Sequence, residues 1–447
     1  MTKARIDGLY LMLLGSVVFV LLSVALQNTA GAPLEDFKAH YYPARTLIQH
    51  GDPYMESEVL RVYRAEGGEH ASDTAKMRLV ATLFEYPPSV FTFTVPFAML
   101  PWGPAHMVWT AITIGGLIFA SFTVWKFGAA NSPIVSGALV GFLLANSEVL
   151  IITGNAAGIV ISLCVLSVCW FLGERFTLAG ILCLAVGLAV KPQIAGPVWL
   201  YFLLAGGVHR KRALQALLAT VALSLPAVLW VWHLAPHWMQ EMHSNMLAFS
   251  ARGGLSDPGP ASSGAHGLAM VISLQAAVSF FCDDPRVYDT ASYLICAPLA
   301  LAWVFATLRS RFSPERAWLG MAAMSALTML PVYHRQYDSK LLLLTIPACA
   351  MLWAEGGLTG WLALGVTTAG LVLNGDIPWA ILLAGIGKLH LPATGISSKI
   401  VTGVQVFPAP LILLAVGVFY LWIYARRSPG AVPSAVRKFP DAAGGAG

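Results

Sequence analysis

The chain alternates apolar runs with short polar links, and the runs are long enough to cross a bilayer. That pattern excludes soluble architectures. A crossing helix needs about 20 consecutive apolar residues. Runs of this kind fall at 8–26, 87–100, 104–125, 133–152, 156–172, 178–190, 194–206, 213–232, 290–308, 317–332, 341–353, 358–373 and 400–424, with weaker stretches at 268–281 and 379–387. The expected fold is an all-α polytopic membrane protein with about twelve transmembrane helices. Composition agrees: hydrophobic residues make up 57% of the chain and charged ones 11%, against about 25% charged in soluble domains. The run at 8–26 follows Lys3 and Arg5 but exceeds a signal-peptide core, and no small-residue cleavage site follows it. It reads as a retained anchor.

Orientation comes from the basic residues. The net charge is only +5, with Lys and Arg gathered at segment ends, which speaks for membrane orientation and against a nucleic-acid partner. The clusters are Lys3 with Arg5, His209-Arg210-Lys211-Arg212, Arg309 with Arg311 and Arg316, and Arg426-Arg427. All four are cytoplasmic only if an even number of runs cross, so both termini are expected inside a plasma or inner membrane. The run at 87–100 is short and carries Pro96, and is the one expected not to cross. One integral domain then spans 1–427. The tail at 428–447, rich in Ala, Gly and Pro, is expected to be disordered and cytoplasmic. Segments 27–86, 233–289, 333–340 and 375–399 face outward, as do helix breaks at Gly154-Asn155 and Lys191-Pro192-Gln193, where polar groups would edge a membrane cavity.

The first outward segment opens with Glu35-Asp36-Phe37-Lys38-Ala39-His40-Tyr41-Tyr42-Pro43-Ala44-Arg45. On a helix, Asp36 and His40 stand one turn apart, while Phe37, Tyr41, Ala44 and Ile48 make an apolar face suited to lie on the membrane. Pro43 either bends that helix from inside or occupies the first turn of one starting at Tyr42. An acid here can serve as a helix cap, yet it keeps company with two phenols, an imidazole and Arg45. A single acid suits an inverting transfer, in which the base takes one proton from the attacking hydroxyl.

A leaving phosphate needs cations instead of an acid partner. Tyr333-His334-Arg335-Gln336-Tyr337-Asp338-Ser339-Lys340 is a polar island between apolar runs, and arginine suits bidentate contact with phosphate. The plainer reading is an interfacial anchor. Its position on the side disfavoured for cations asks for a function. Lys191, between two apolar runs, must snorkel or find an anion. Glu85-Tyr86-Pro87-Pro88 reads as a helix start. His233, His237, Glu241 and His243 lack HExxH order, so no metal site is expected. The loop Gly253-Gly254-Leu255-Ser256-Asp257-Pro258-Gly259-Pro260 reads as a flexible link able to order over a substrate. Five cysteines lie in apolar runs and Cys282 stands alone in a polar one, so neither a disulfide framework nor a CxxC site is present. No Walker A or dinucleotide motif occurs, and no cofactor is expected. A sugar-nucleotide donor would lack a place to bind, which favours a lipid carrier reached laterally.

The order Asp36-Phe37, Tyr41-Tyr42, Ala44-Arg45, Leu47, Gly51, Pro53-Tyr54, then Tyr86-Pro87-Pro88, Gly154-Asn155 and Lys191-Pro192-Gln193 resembles glycosyltransferase family 87 of the GT-C superfamily, the polyprenyl-phosphate-mannose-dependent α-mannosyltransferases. The resemblance implies short juxtamembrane helices in the first outer loop and a cavity opening to the outer leaflet. By it, Asp36 is the general base and His334 binds the donor phosphate with Arg335 as helper, while Tyr86 and Lys191 are candidates to line the cavity; His40, Tyr41 and Arg45, which keep company with Asp36, are cavity-lining candidates on that ground. Where family members often carry Gly-Gln, this chain has Gly154-Asn155. The expected activity is inverting transfer of a hexose, mannose foremost, from a polyprenyl-phosphate donor to a lipid-linked or glycan hydroxyl on the extracytoplasmic face. The rival readings are a lipid or solute transporter and a ligase or polymerase using a lipid pyrophosphate.

Overall fold

The computed structural model describes residues 2–29, 34–68, 75–259, 270–388 and 395–427. The tail at 428–447 lies outside them. Among the described residues all regular structure is helical, apart from one antiparallel bridge between Val271 and Arg335. Among the described residues six helices are long and apolar enough to cross a membrane alone: Lys3–Asn28, Trp102–Gly128, Pro133–Thr153, Gly207–Leu234, Pro285–Arg309 and Ser398–Arg426. Gly357–Leu373 and Asp376–Ile386 form a bent pair meeting at 59°.

Other apolar runs make shorter helices, Ala157–Leu172, Thr177–Val190 and Pro192–Ala205. Ala157–Leu172 is apolar on every side and buried on nearly every side, as a helix without a polar face must be. Pro314–Leu327 supplies another pass, and a 3₁₀ segment, Gln336–Thr345, continues into Ile346–Glu355 as the next. With the bent pair taken as one, these passes reach the expected twelve among the described residues. Such a long 3₁₀ run is unusual. Pro347 contributes to it, since it has no N–H to give the Leu343 carbonyl, which takes the Ile346 N–H instead.

Helix directions decide the parity of the early segments. Gly8 lies against Pro133 and Gly137, Gly15 lies against Gly141, and farther along the Leu34 N–H donates to the Ile152 carbonyl at 2.7 Å. Lys3–Thr29 and the helix from Pro133 therefore run parallel. Two parallel spans need an odd number of crossings between them, and Trp102–Gly128 supplies one. The segment Pro88–Ala98 adds none; it is a short helix packed beside Glu35–Ile48, where Ala98 accepts from Arg45 Nη1 at 2.9 Å. A Cβ at Gly137 would collide with the Gly8 carbonyl oxygen, so glycine is what permits this backbone-to-backbone approach.

The basic clusters gather at one end of the bundle. Arg212 donates to the Phe171 carbonyl at 3.0 Å, the His209 ring lies 3.9 Å from that of Phe312, and Arg316 binds the carbonyls of Tyr424 and Arg427. Arg427 also pairs with Glu355. These cations sit where helix carbonyls lack intrahelical partners. The helix breaks lie at the other end.

One buried ion pair pins two of those breaks together. Lys340 Nζ donates to Asp376 Oδ1 at 2.8 Å, to the Asn374 carbonyl at 3.3 Å and to the Asn146 carbonyl. Asp376 Oδ2 accepts the Val149 N–H at 2.7 Å. Glu148 lies in the same cluster, with both carboxyl oxygens buried and unpartnered among the described residues. Removing one member of such a pair strands the other, at a cost of ~3–5 kcal/mol. Lys340→Met should therefore lower the thermal unfolding midpoint of the detergent-solubilised protein sharply, and adding Asp376→Leu should recover much of the loss. Equal losses in the single and double variants would refute the pairing.

Candidate active site

The helix Glu35–Ile48 begins after Leu34, whose φ of 63° turns the chain sharply, and Glu35 and Asp36 in its first turn suit the helix N-terminus. Of the two possible starts the earlier one is realised, with Pro43 inside the helix. The face of Phe37, Tyr41 and Ala44 is buried in protein rather than laid on the membrane. Phe37 stacks on Trp109 at 4.5 Å and on Trp102 at 5.4 Å between ring centroids. Ring-to-ring contacts inside the protein add to the area they bury, which explains why this face turns inward.

Burying that face leaves Asp36 at the head of a polar chain. Asp36 Oδ2 accepts from Asn155 Nδ2 at 2.9 Å, and Oδ1 has no partner among the described residues. Asn155 Oδ1 accepts from Lys191 Nζ at 3.3 Å, and the same ammonium donates to Asp338 Oδ1 at 2.8 Å. Asp338 Oδ2 lies 3.1 Å from His334 Nδ1 and accepts the Arg335 N–H at 3.1 Å. The two predicted helix breaks supply the middle of this chain. Gly154 has a φ of 66°, and a Cβ there would fall 2.8 Å from the side chains of Leu34 and Phe37, so glycine lets the acid-bearing helix close on Asn155. Lys191 is the one-residue joint between Thr177–Val190 and Pro192–Ala205.

His334 is 2% exposed, and its Nε2 has no partner among the described residues. Arg335 is engaged: Nη2 donates to the Leu255 carbonyl at 2.9 Å and Nε to the Tyr333 hydroxyl, which itself donates to the Leu255 carbonyl at 3.1 Å. Part of the presumed flexible loop is organised. Asp257 accepts the N–H groups of Gly253 and Gly259 at 2.7 and 2.8 Å and faces the Tyr288 hydroxyl at 3.3 Å; Pro260 lies outside the described residues.

The remaining sequence candidates divide. Tyr86 and His40 stand beside this chain, their rings 4.5 Å apart. Tyr41 and Arg45 are occupied elsewhere: Tyr41 donates to the Leu100 carbonyl at 2.9 Å, and Arg45 pairs with Glu66 at 2.6 Å. They brace the juxtamembrane helices. Sequence reasoning passed over Asn155 as a bare helix break, Asp338 as one member of a polar island, and Glu85 as a helix start. Burial raises the Glu85 carboxyl from 4.5 to about 7, opposed by Lys191 and Arg335 and aided by Asp36. A second acid therefore lies within reach of the cations of this chain.

His40 is fully buried, with neither ring nitrogen partnered among the described residues. Burial, then the nearby Lys191 charge, lowers it from 6.5 to about 3. The unfolded chain takes up a proton below pH 6.5 that the folded chain refuses until about pH 3. Stability should therefore fall as pH drops through that window, by up to ~1.4 kcal/mol per pH unit. Measured as unfolding midpoint against pH, this acid-side slope should be shallower in His40→Phe; an unchanged slope would show that other groups carry it.

The model of glycosyltransferase family 87 matches residues 84–333, more than half of the chain. No curated protein and no solved structure matches it. The matched stretch holds Glu85, Tyr86, Asn155 and Lys191, and the polar chain runs from it to Asp36 on one side and to His334 and Asp338 on the other. This all-helical membrane protein belongs to glycosyltransferase family 87.

Proposed function

We propose that the protein is an inverting transferase that moves a hexose, mannose foremost, from a polyprenyl phosphate to a hydroxyl of a lipid-linked or glycan acceptor on the extracytoplasmic face of the cell membrane. The observation that carries this reading is the unbroken chain Asp36, Asn155, Lys191, Asp338, His334. It gathers a carboxylate and cationic groups from distant parts of the chain at one end of the bundle. In the proposed step Asp36 takes the proton of the acceptor hydroxyl as its oxygen bonds to the anomeric carbon. The bond from that carbon to the phosphate oxygen breaks, and the electron pair leaves with the phosphate. Lys191 and Arg335, with His334 donating through Nε2 when protonated, stabilise the charge that develops there.

Asn155 suits the base by holding one carboxylate oxygen while the other stays open. Asp338 suits the phosphate end by orienting His334 through Nδ1. A buried Lys340–Asp376 pair between helix breaks is what a transporter could use, but that ammonium already has three protein acceptors, which weighs against a vacant transport site. A ligase working from a lipid pyrophosphate shares the architecture and differs only in donor.

Asp36→Asn should cut transfer from polyprenyl-phosphate mannose by ~10²–10⁴-fold in kcat, with little change in donor KM. His334→Ala should act mainly through donor KM. The measurement is radiolabelled transfer in proteoliposomes supplied with monophosphate and pyrophosphate donors side by side. Activity of Asp36→Asn near wild type removes Asp36 as the base, and turnover of the pyrophosphate donor alone replaces the transferase reading with the ligase.

A further inference from the structure

The backbone around Glu85 is held from both sides, yet its side chain is left uncommitted. It lies on an irregular stretch between Ala75–Thr82 and the 3₁₀ turn Pro88–Val90. The carbonyls on either side of it are both taken: Asn245 Nδ2 donates to Phe84 at 3.0 Å, and the Tyr54 hydroxyl donates to Tyr86 at 2.7 Å. The Phe84 ring is clamped between Phe91 at 4.8 Å and Tyr54 at 5.2 Å. With the backbone fixed on both sides, the Cα–Cβ direction of Glu85 is fixed too.

Its neighbour Tyr86 places its ring 4.5 Å from that of His40, one turn along the helix from Asp36, and Lys191, Arg335 and Asp36 are the charged groups that the carboxylate feels. It makes no hydrogen bond with them or with any other described residue, and it is only half-buried. Lys191 donates to Asp338 and Asn155 and Arg335 to Leu255 and Tyr333, and neither donates to Glu85. The hydroxyls of Tyr86 and Tyr337 are likewise without hydrogen-bond partners among the described residues, and His334 Nε2 is buried without one. A carboxyl without a hydrogen-bond partner among the described residues, next to the Tyr86 phenol, is a poor structural brace, since it ties nothing together. It is well suited to a ligand rich in hydroxyls, because a carboxyl accepts from two neighbouring O–H groups at once and phenols both donate and accept.

We infer that Glu85 is a specificity-determining residue that binds hydroxyl groups of the transferred sugar. The inference rests on the transferase reading and adds to it a site for the sugar ring itself, apart from the base and the phosphate cations. Asp36 acts on the acceptor, the cations act on the phosphate, and Glu85 reads which hydroxyls the donor carries. The raised proton affinity of this carboxyl adds that near neutral pH it is available both to accept and to donate.

The test uses the purified full chain and a set of polyprenyl-phosphate hexoses, each lacking one ring hydroxyl. A site built to bond a hydroxyl rejects the analogue without it strongly, so the wild type should lose ~10²-fold or more in kcat/KM for one or two members of the set. In Glu85→Gln the parent donor should fall toward those members and the discrimination at those positions should collapse, with discrimination at the other positions retained. Glu85→Asp, which keeps the charge on a shorter arm, should restore part of the pattern. The same pattern of rejection in wild type and Glu85→Gln would overturn the inference. If Glu85→Gln does not purify as a folded species, an unaltered pattern in Glu85→Asp overturns it instead. A wild type that transfers no sugar from any polyprenyl phosphate overturns the transferase reading and this inference with it, an outcome distinct from active transfer with an unchanged pattern.

Discussion

The ammonium of Lys191 is what the site depends on. A lysine almost without solvent exposure must recover its lost hydration from the protein, and here it does so with Asn155 Oδ1, Asp338 Oδ1 and the face of the Tyr337 ring at 5.2 Å. Those contacts join segments more than a hundred residues apart. Asn155 passes the connection to Asp36, and Asp338 passes it to His334 and to the backbone of Arg335. Remove the cation, and Asp338 is a buried carboxylate left with only an imidazole and an N–H.

Around it, irregular backbone is confined to where it has work to do. Inside a bilayer every peptide group needs a partner, so breaks survive only where protein or a cavity supplies one. The joint at Lys191, the left-handed Gly154, the loop ahead of the 3₁₀ wall and the bend at Asn374-Gly375 occur at the same end of the bundle, and each break hands its free groups to a neighbour. Gln336 donates to the Gly375 carbonyl at 2.7 Å, and the Gln336 and Ile272 N–H groups bond to Met270 and His334. The 3₁₀ wall thus turns Asp338 toward Lys191 and Lys340 toward Asp376, serving two ion pairs from one short stretch.

Much of this was legible in the residue order. The apolar runs foretold the helices, the two polar breaks fell where helices do break, and the short run with Pro96 indeed adds no crossing. What the order could not carry was partnership. Asn155 looked like a departure from a familiar Gly-Gln pair, and only the fold shows its amide bridging acid and ammonium. Tyr41 and Arg45 looked like neighbours of Asp36 because they share its helix, but along that helix they reach a different set of partners. Glu85 looked like a helix start because nothing in sequence reports that a side chain has been left without company.

The glycine seam between the first helix and the one from Pro133 has a reach beyond its own contact. Side chains that meet across an interface have rotamers and can resettle, whereas Gly8, Gly15, Gly137 and Gly141 meet through main-chain atoms that have none. The pair is therefore a fixed datum, and the Leu34–Ile152 hydrogen bond transfers that datum to the start of the acid-bearing helix. The height of Asp36 along the molecule is in this sense gauged from the opposite end of the bundle, by four residues that lack side chains altogether.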